Sequence, residues 1–146
     1  MKAKLSILAL ILTGIAVGCK KDVFTDRPYL AFKSISGTVI GLGGGLEINL
    51  DFADKDGDMS KDTIWTIYTT KHCANSNYID SMSLPNIPAR PYLKGTLTFT
   101  FSYGGSGVQI PQPSCSQNDT GYFRFFIRNG SKRSDTISTP QIVVLK

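Results

Sequence analysis

The chain has 146 residues, a formal net charge of +5 and 41% hydrophobic residues, enough for one domain with a real core. The basic excess is scattered, with no basic run of five or more, which argues against nucleic-acid binding. Glycine, threonine, serine and aromatic residues are plentiful and good helix stretches are absent, which points to an all-β class.

Lys2 and Lys4 precede an apolar stretch, Leu5 to Val17, relieved by Ser6, Thr13 and Gly14. A short positive region, an apolar run and small residues before a cut make a secretory signal. The run is short of the roughly 20 residues that a spanning helix needs. Ala16-Val17-Gly18-Cys19 resembles the lipobox of bacterial lipoproteins, with Ala16 where Leu is commoner. The resemblance implies a lipoprotein signal peptide over 1–18, acylation of Cys19 and a membrane as partner of the N-terminus. The alternatives are an ordinary secretory signal or an uncleaved anchor. More than one acyl chain would hold firmly, at about 0.8 kcal/mol per buried CH₂. Residues 19–28, ending at Pro28, read as a lipidated tether, and 29–146 as the folded domain. The expected location is the cell envelope, anchored to the outer membrane on its periplasmic or surface face. Disulfides persist there.

Tyr29 to Val39 predicts a strand or strand pair interrupted at Gly37, and Gly41 to Gly45 a turn. That turn is no phosphate loop, because a strand follows it and GK[ST] is absent. Leu46, Ile48, Leu50 and Phe52 alternate with polar neighbours, predicting a half-buried strand over 46–53. Thr63 to Thr70 is β-rich, and Tyr78 to Met82 suits a short edge strand. Lys94 to Tyr103 sets Leu97, Phe99 and Phe101 against threonines; Gly121 to Asn129 sets Phe123, Phe125 and Ile127 against Arg124, Phe126 and Arg128. Asn129-Gly130 signals a turn. Ile137 to Leu145 closes the series, with Pro140 near its start, where an edge position tolerates it. About seven alternating strands predict an antiparallel immunoglobulin-like β-sandwich, with a jelly roll or partly open barrel as competitor.

Between the second and third of these major strands lies an acidic turn. Asp54, Asp56 and Asp58, helped by Ser60 or Asp62, are candidate calcium ligands, because calcium takes six to eight oxygens. The glycine is misplaced for an EF-hand and Trp65 stands where the bidentate Glu belongs. The competing reading is a solvated β-turn. Cys73 follows one major strand and Cys115 precedes another that lies beside it in an immunoglobulin topology, so a disulfide is expected, with two free thiols as the alternative. His72, the only histidine, reads as a loop residue, and Glu47 and Asp51 sit on an exposed strand face without sign of a cleft. No catalytic constellation is present and no enzyme is expected. Tyr78, Tyr92 and Tyr103 are candidates for a sugar-binding platform, whereas Phe99, Phe101, Phe123, Phe125 and Trp65 are expected in the core.

Phe52-Ala-Asp-Lys-Asp-Gly-Asp-Met-Ser-Lys-Asp62, the Gly95-Thr-Leu strand and the ending Ser134 to Val144 resemble the small, largely uncharacterised lipoproteins of Bacteroidetes-type bacteria. The resemblance implies an immunoglobulin-like sandwich at the surface or in the periplasm, without an established activity. Asp62-Thr-Ile, Asp80-Ser-Met and Asp135-Thr-Ile resemble the O-glycosylation sequence of extracytoplasmic proteins of such bacteria. The expected function is a non-catalytic, lipid-anchored interaction module with a protein or glycan partner and no nucleic acid. The alternative is a carbohydrate-binding accessory lipoprotein for glycan uptake.

Overall fold

A computed structural model describes residues 24–73 and 77–146. Cys19 and the signal segment therefore lie outside the described residues. The strands are β1 (Tyr29–Ile35), β2 (Val39–Ile40), β3 (Gly45–Asp54), β4 (Thr63–Thr70), β5 (Tyr78–Ser83), β6 (Leu93–Ser102), β7 (Val108–Gln109), β8 (Asp119–Asn129), β9 (Lys132–Arg133), β10 (Ile137–Ser138) and β11 (Ile142–Val144). One sheet runs β1-β3-β6-β7 and the other β2-β11-β8-β4-β5. After β3 the chain crosses between sheets from β3 to β4, back from β5 to β6, and again on the way from β6 to β8, which makes the Greek-key sandwich of immunoglobulin-like domains. The main ladders are antiparallel; β2–β11 and β6–β7 are short parallel pairs.

Alternation explains which faces meet. Leu46, Ile48, Leu50 and Phe52 of β3 are buried, as are Ile64 and Tyr68 of β4 and Phe123, Phe125 and Ile127 of β8. The two sheets lock through aromatic rings: Phe101 packs on Phe123 at 4.4 Å between centroids and Phe99 on Phe125 at 5.2 Å. Such pairs contribute about 0.5–1.5 kcal/mol beyond the area they bury. Gly95 stands directly opposite Phe52, whose ring lies where a Cβ on the glycine would be 2.9 Å away. The glycine of the Gly95-Thr-Leu strand is thus a seat for the Phe52 ring.

The first segment changes sheets at Gly37: β1 pairs with β3, whereas β2 pairs with β11. The predicted last strand is broken. β9, β10 and β11 pair successively with β8, and the register slips at each break. At the first break Ser134 Oγ accepts from the Ile127 amide (2.9 Å); at the second Thr139 Oγ1 accepts from the Phe123 amide (3.0 Å). These hydroxyls, with Pro140, keep β8 satisfied where its neighbour bulges.

Candidate functional site

The acidic turn is solvated only in part: Asp56 and Asp58 are exposed, but others of its side chains are not. Met59 and Asp62 are fully buried and Asp54 nearly so. The loop before β6 lies across it: the Leu84 amide donates to the Asp62 carbonyl (3.0 Å), Arg90 to the Gly57 carbonyl (3.3 Å) and Tyr92 to the Lys55 carbonyl (3.0 Å). Asp54 Oδ1 accepts from the Gly57 amide at 2.6 Å, and Asp58 Oδ1 from the Ser60 amide and hydroxyl. Asp56 turns outward to Lys132, 3.6 Å away. Asp62 is different, because neither of its buried carboxylate oxygens has a hydrogen-bond partner. Burial, and then the charges of Asp54 and Asp58, push its carboxyl up to about 7. The four aspartates named as calcium ligands therefore divide between turn bonds, an ion pair and a buried acid. Among the described residues no three His, Cys, Asp or Glu side chains form a metal-holding group.

Gly57 makes this packing possible. Its φ of 74° lies in the left-handed region, and a Cβ there would run into the Arg90 carbonyl. Gly57→Ala is expected to lose about 3 kcal/mol from combined strain and displacement of the 84–92 loop. A urea titration checks this, as a lower midpoint with an unchanged slope.

At the other end of β4, Cys73 and Cys115 form the expected disulfide, with S–S 1.98 Å and Cα–Cα 5.5 Å. Asp119, which the sequence reading passed over, is buried beside it. Its Oδ1 accepts from the amides of Thr120 (2.8 Å), His72 (3.2 Å) and Cys73 (3.4 Å), fastening the loop after β4 to the start of β8. The signal was there in the sequence: an aspartate where a strand begins, next to a cysteine-bearing loop. His72 itself is an exposed loop residue.

The three candidate tyrosines do not form one platform. Tyr103 is buried in the core. Tyr92 is exposed, carries a φ of 57° and meets Phe24 edge-on at 5.2 Å. Tyr92 and Tyr103 also flank opposite ends of the ten-residue β6, about 36 Å apart along an extended strand. Tyr78 is half-buried against Tyr68, and burial with the nearby Asp80 charge pushes its hydroxyl up to about 12.

Trp65 is a second correction. It belongs to the outward row of β4 because Ile64, Thr66 and Tyr68 take the inward one. There it stacks on Phe126 of β8, directly opposite, with centroids 5.9 Å apart and planes 5° from parallel. Sequence alternation had already turned Phe126 outward, and its register partner follows it.

The two outer faces of the sandwich contrast. On the β1-β3-β6 face the polar groups satisfy one another: Lys33 pairs with Asp51 (3.0 Å), Thr96 donates to Asp51 (2.7 Å), Thr98 to Asn49 (2.7 Å) and Asn49 to Glu47 (2.9 Å). The Thr96 and Lys33 hydrogen bonds hold the Asp51 carboxyl below the usual range. On the β5-β4-β8 face the outward rows are Ile79, Ser81 and Ser83; Thr63, Trp65, Ile67 and Thr69; and Tyr122, Arg124, Phe126 and Arg128. These rows contain no carboxylate. Arg133 on β9 lies over the Phe126 ring at 3.8 Å, and Arg124 over Tyr122 at 5.9 Å.

Comparison with known proteins gives little beyond this geometry. No family model matches the chain, and no curated protein matches it. The crystal structure of Spo0M, a sporulation control protein from Bacillus subtilis, aligns with 84% of this chain at 8% identity and a TM-score of 0.43. The chain spans 51% of that protein's length.

Proposed function

We propose that the chain is a non-catalytic, lipid-anchored interaction module of the cell envelope. One observation carries the reading: the outer face of β5-β4-β8 gathers Trp65, Phe126 and arginines without a neutralising carboxylate, while the opposite face is internally paired. Exposed aromatic and arginine groups are the usual anchors of interfaces, and a face left open in charge suits a partner. The lipobox supplies the anchor, and residues 19–28 the reach from membrane to sandwich. The second reading, a carbohydrate-binding accessory lipoprotein for glycan uptake, is favoured by the same face, because guanidinium groups suit oxygen-rich ligands.

Lipidation is tested in cells fed an alkyne-tagged fatty acid. The full chain is expected to take up the label and to sediment with membranes, and Cys19→Ser to lose both. Unchanged sedimentation of the unlabelled variant would overturn the anchor.

A further inference from the structure

The open face has a definite chemistry. No ion pair among the described residues reaches Arg124, Arg128 or Arg133. Arg133 is held flat on Phe126, which itself stacks on Trp65, and one of its nitrogens donates to Thr136 Oγ1 at 2.8 Å. A guanidinium fixed by stacking keeps its remaining in-plane N–H groups directed outward, which suits a carboxylate. Arg124 and Arg128 are four residues apart on one strand, about 13 Å, and Arg133 stands directly across from Arg128 on β9, so the face carries a pair of arginines at one end and a single one towards the other.

Trp65 Nε1 and Arg124 Nε are buried within the face, and Arg124 Nη2 donates to Thr69 Oγ1 at 3.3 Å. Arg124, Tyr78, Ile67 and Ile79 are among the residues lining a shallow depression of about 570 Å³. The face is therefore positive, sets the hydroxyls of Thr63, Thr69, Ser81 and Ser83 beside its guanidinium groups, and is apolar only in narrow strips, a chemistry suited to an oxygen-rich anionic ligand. Its largest rings, Trp65 and Phe126, are half-buried and stack on each other.

We infer that this face binds a carboxylate-bearing polysaccharide, its acid groups on the arginines and its sugar rings over the Ile67–Ile79 strip and the aromatic edges. The inference rests on the interaction-module reading and adds the chemical class of the partner. It is tested on the full chain purified in detergent, with polygalacturonate as probe. The methyl-esterified polymer, poly-L-glutamate and a single-stranded oligonucleotide serve as comparators. Polygalacturonate is expected to bind at least about tenfold more tightly than each comparator, since the ester removes the charge and the others remove the sugar. Arg124→Gln and Arg133→Gln are each expected to weaken binding about tenfold, the scale of one charge-assisted hydrogen bond. Lys33→Gln, on the opposite face, is expected to leave it unchanged. No binding of polygalacturonate overturns the inference. Equal binding of polyglutamate would assign the face to acidic polypeptides, and equal binding of the oligonucleotide to polyanions in general; either overturns it too. Binding unaffected by the arginine variants places the ligand elsewhere. If binding fails while Cys19-dependent sedimentation holds, this inference alone falls; if sedimentation fails, the anchored-module reading falls whatever the glycan does.

Discussion

Asp62→Asn is expected to raise stability at pH 8 and to leave it nearly unchanged at pH 4. Asp62 is fully buried with both carboxylate oxygens unpartnered, so its charged form is penalised by burial first and by Asp54 and Asp58 second. Its carboxyl is raised from 3.8 to about 7. The unfolded chain therefore releases this proton near pH 4, whereas the folded protein holds it until about pH 7. Between those values the native state binds more protons, and stability falls as pH rises, by about 1.4 kcal/mol per pH unit. The total is about 4 kcal/mol, reached near pH 7 and constant above it. Asparagine is neutral throughout and close to the protonated acid in shape, so the variant loses this slope. Its backbone bonds, Asp62 amide to Met59 carbonyl and Leu84 amide to Asp62 carbonyl, do not involve the side chain. Urea midpoints at pH 4, 6 and 8 check the result; parallel curves for both proteins would refute the buried-acid account. The same series with calcium and with chelator decides the cation reading. A calcium-bound carboxylate would stabilise the wild type at pH 8 and not the variant, and coincident curves would leave a buried acid alone.

The strand plan was legible because each major strand has one wet and one dry face. Leu46 to Phe52, Leu97 to Phe101 and Phe123 to Ile127 give their burial directly through period-two alternation. The disulfide followed from topology, once the strand before Cys73 and the strand after Cys115 were taken as neighbours. What escaped reading depends on contacts between distant segments. The acidic turn looked like solvent-exposed punctuation, because nothing local says that residues 84–92 fold over it and bury Asp62. Trp65 looked like core because it is large and apolar, although the parity of Ile64 and Tyr68 sets it outward. Tyr103 looked like a loop aromatic because it follows a strand, yet its amide donates to the Gly44 carbonyl and keeps the ring in register with the core. The arginine face was half legible: Arg124 and Arg128 alternate visibly with the phenylalanines, but Arg133 joins them only through the broken final strand.

The double variant Cys73→Ala/Cys115→Ala is expected to lose about 4 kcal/mol, a fall of about 15 °C in Tm for a domain of this size. The bridge spans 42 residues that include β5, β6 and β7, so its removal frees a long segment of the unfolded chain. The folded loop keeps other ties: the Thr70 amide donates to Asn77 Oδ1 at 2.7 Å, the Thr70 hydroxyl donates to the Cys73 carbonyl at 2.8 Å, and Asp119 still holds the His72 and Cys73 amides. The effect should accordingly appear as a lower midpoint in a cooperative transition, with the β4–β5 hairpin and its outward face intact at 25 °C. Reductant should lower the wild-type Tm toward that of the variant and leave the variant where it is. Alkylation of the wild type under denaturing, non-reducing conditions should label neither Cys73 nor Cys115; labelling of both would remove the bridge and the 4 kcal/mol with it. Because a crosslink acts chiefly on the unfolded chain, the variant that remains folded is expected to bind polygalacturonate as the wild type does. A parallel loss of binding would instead make the bridge part of the face.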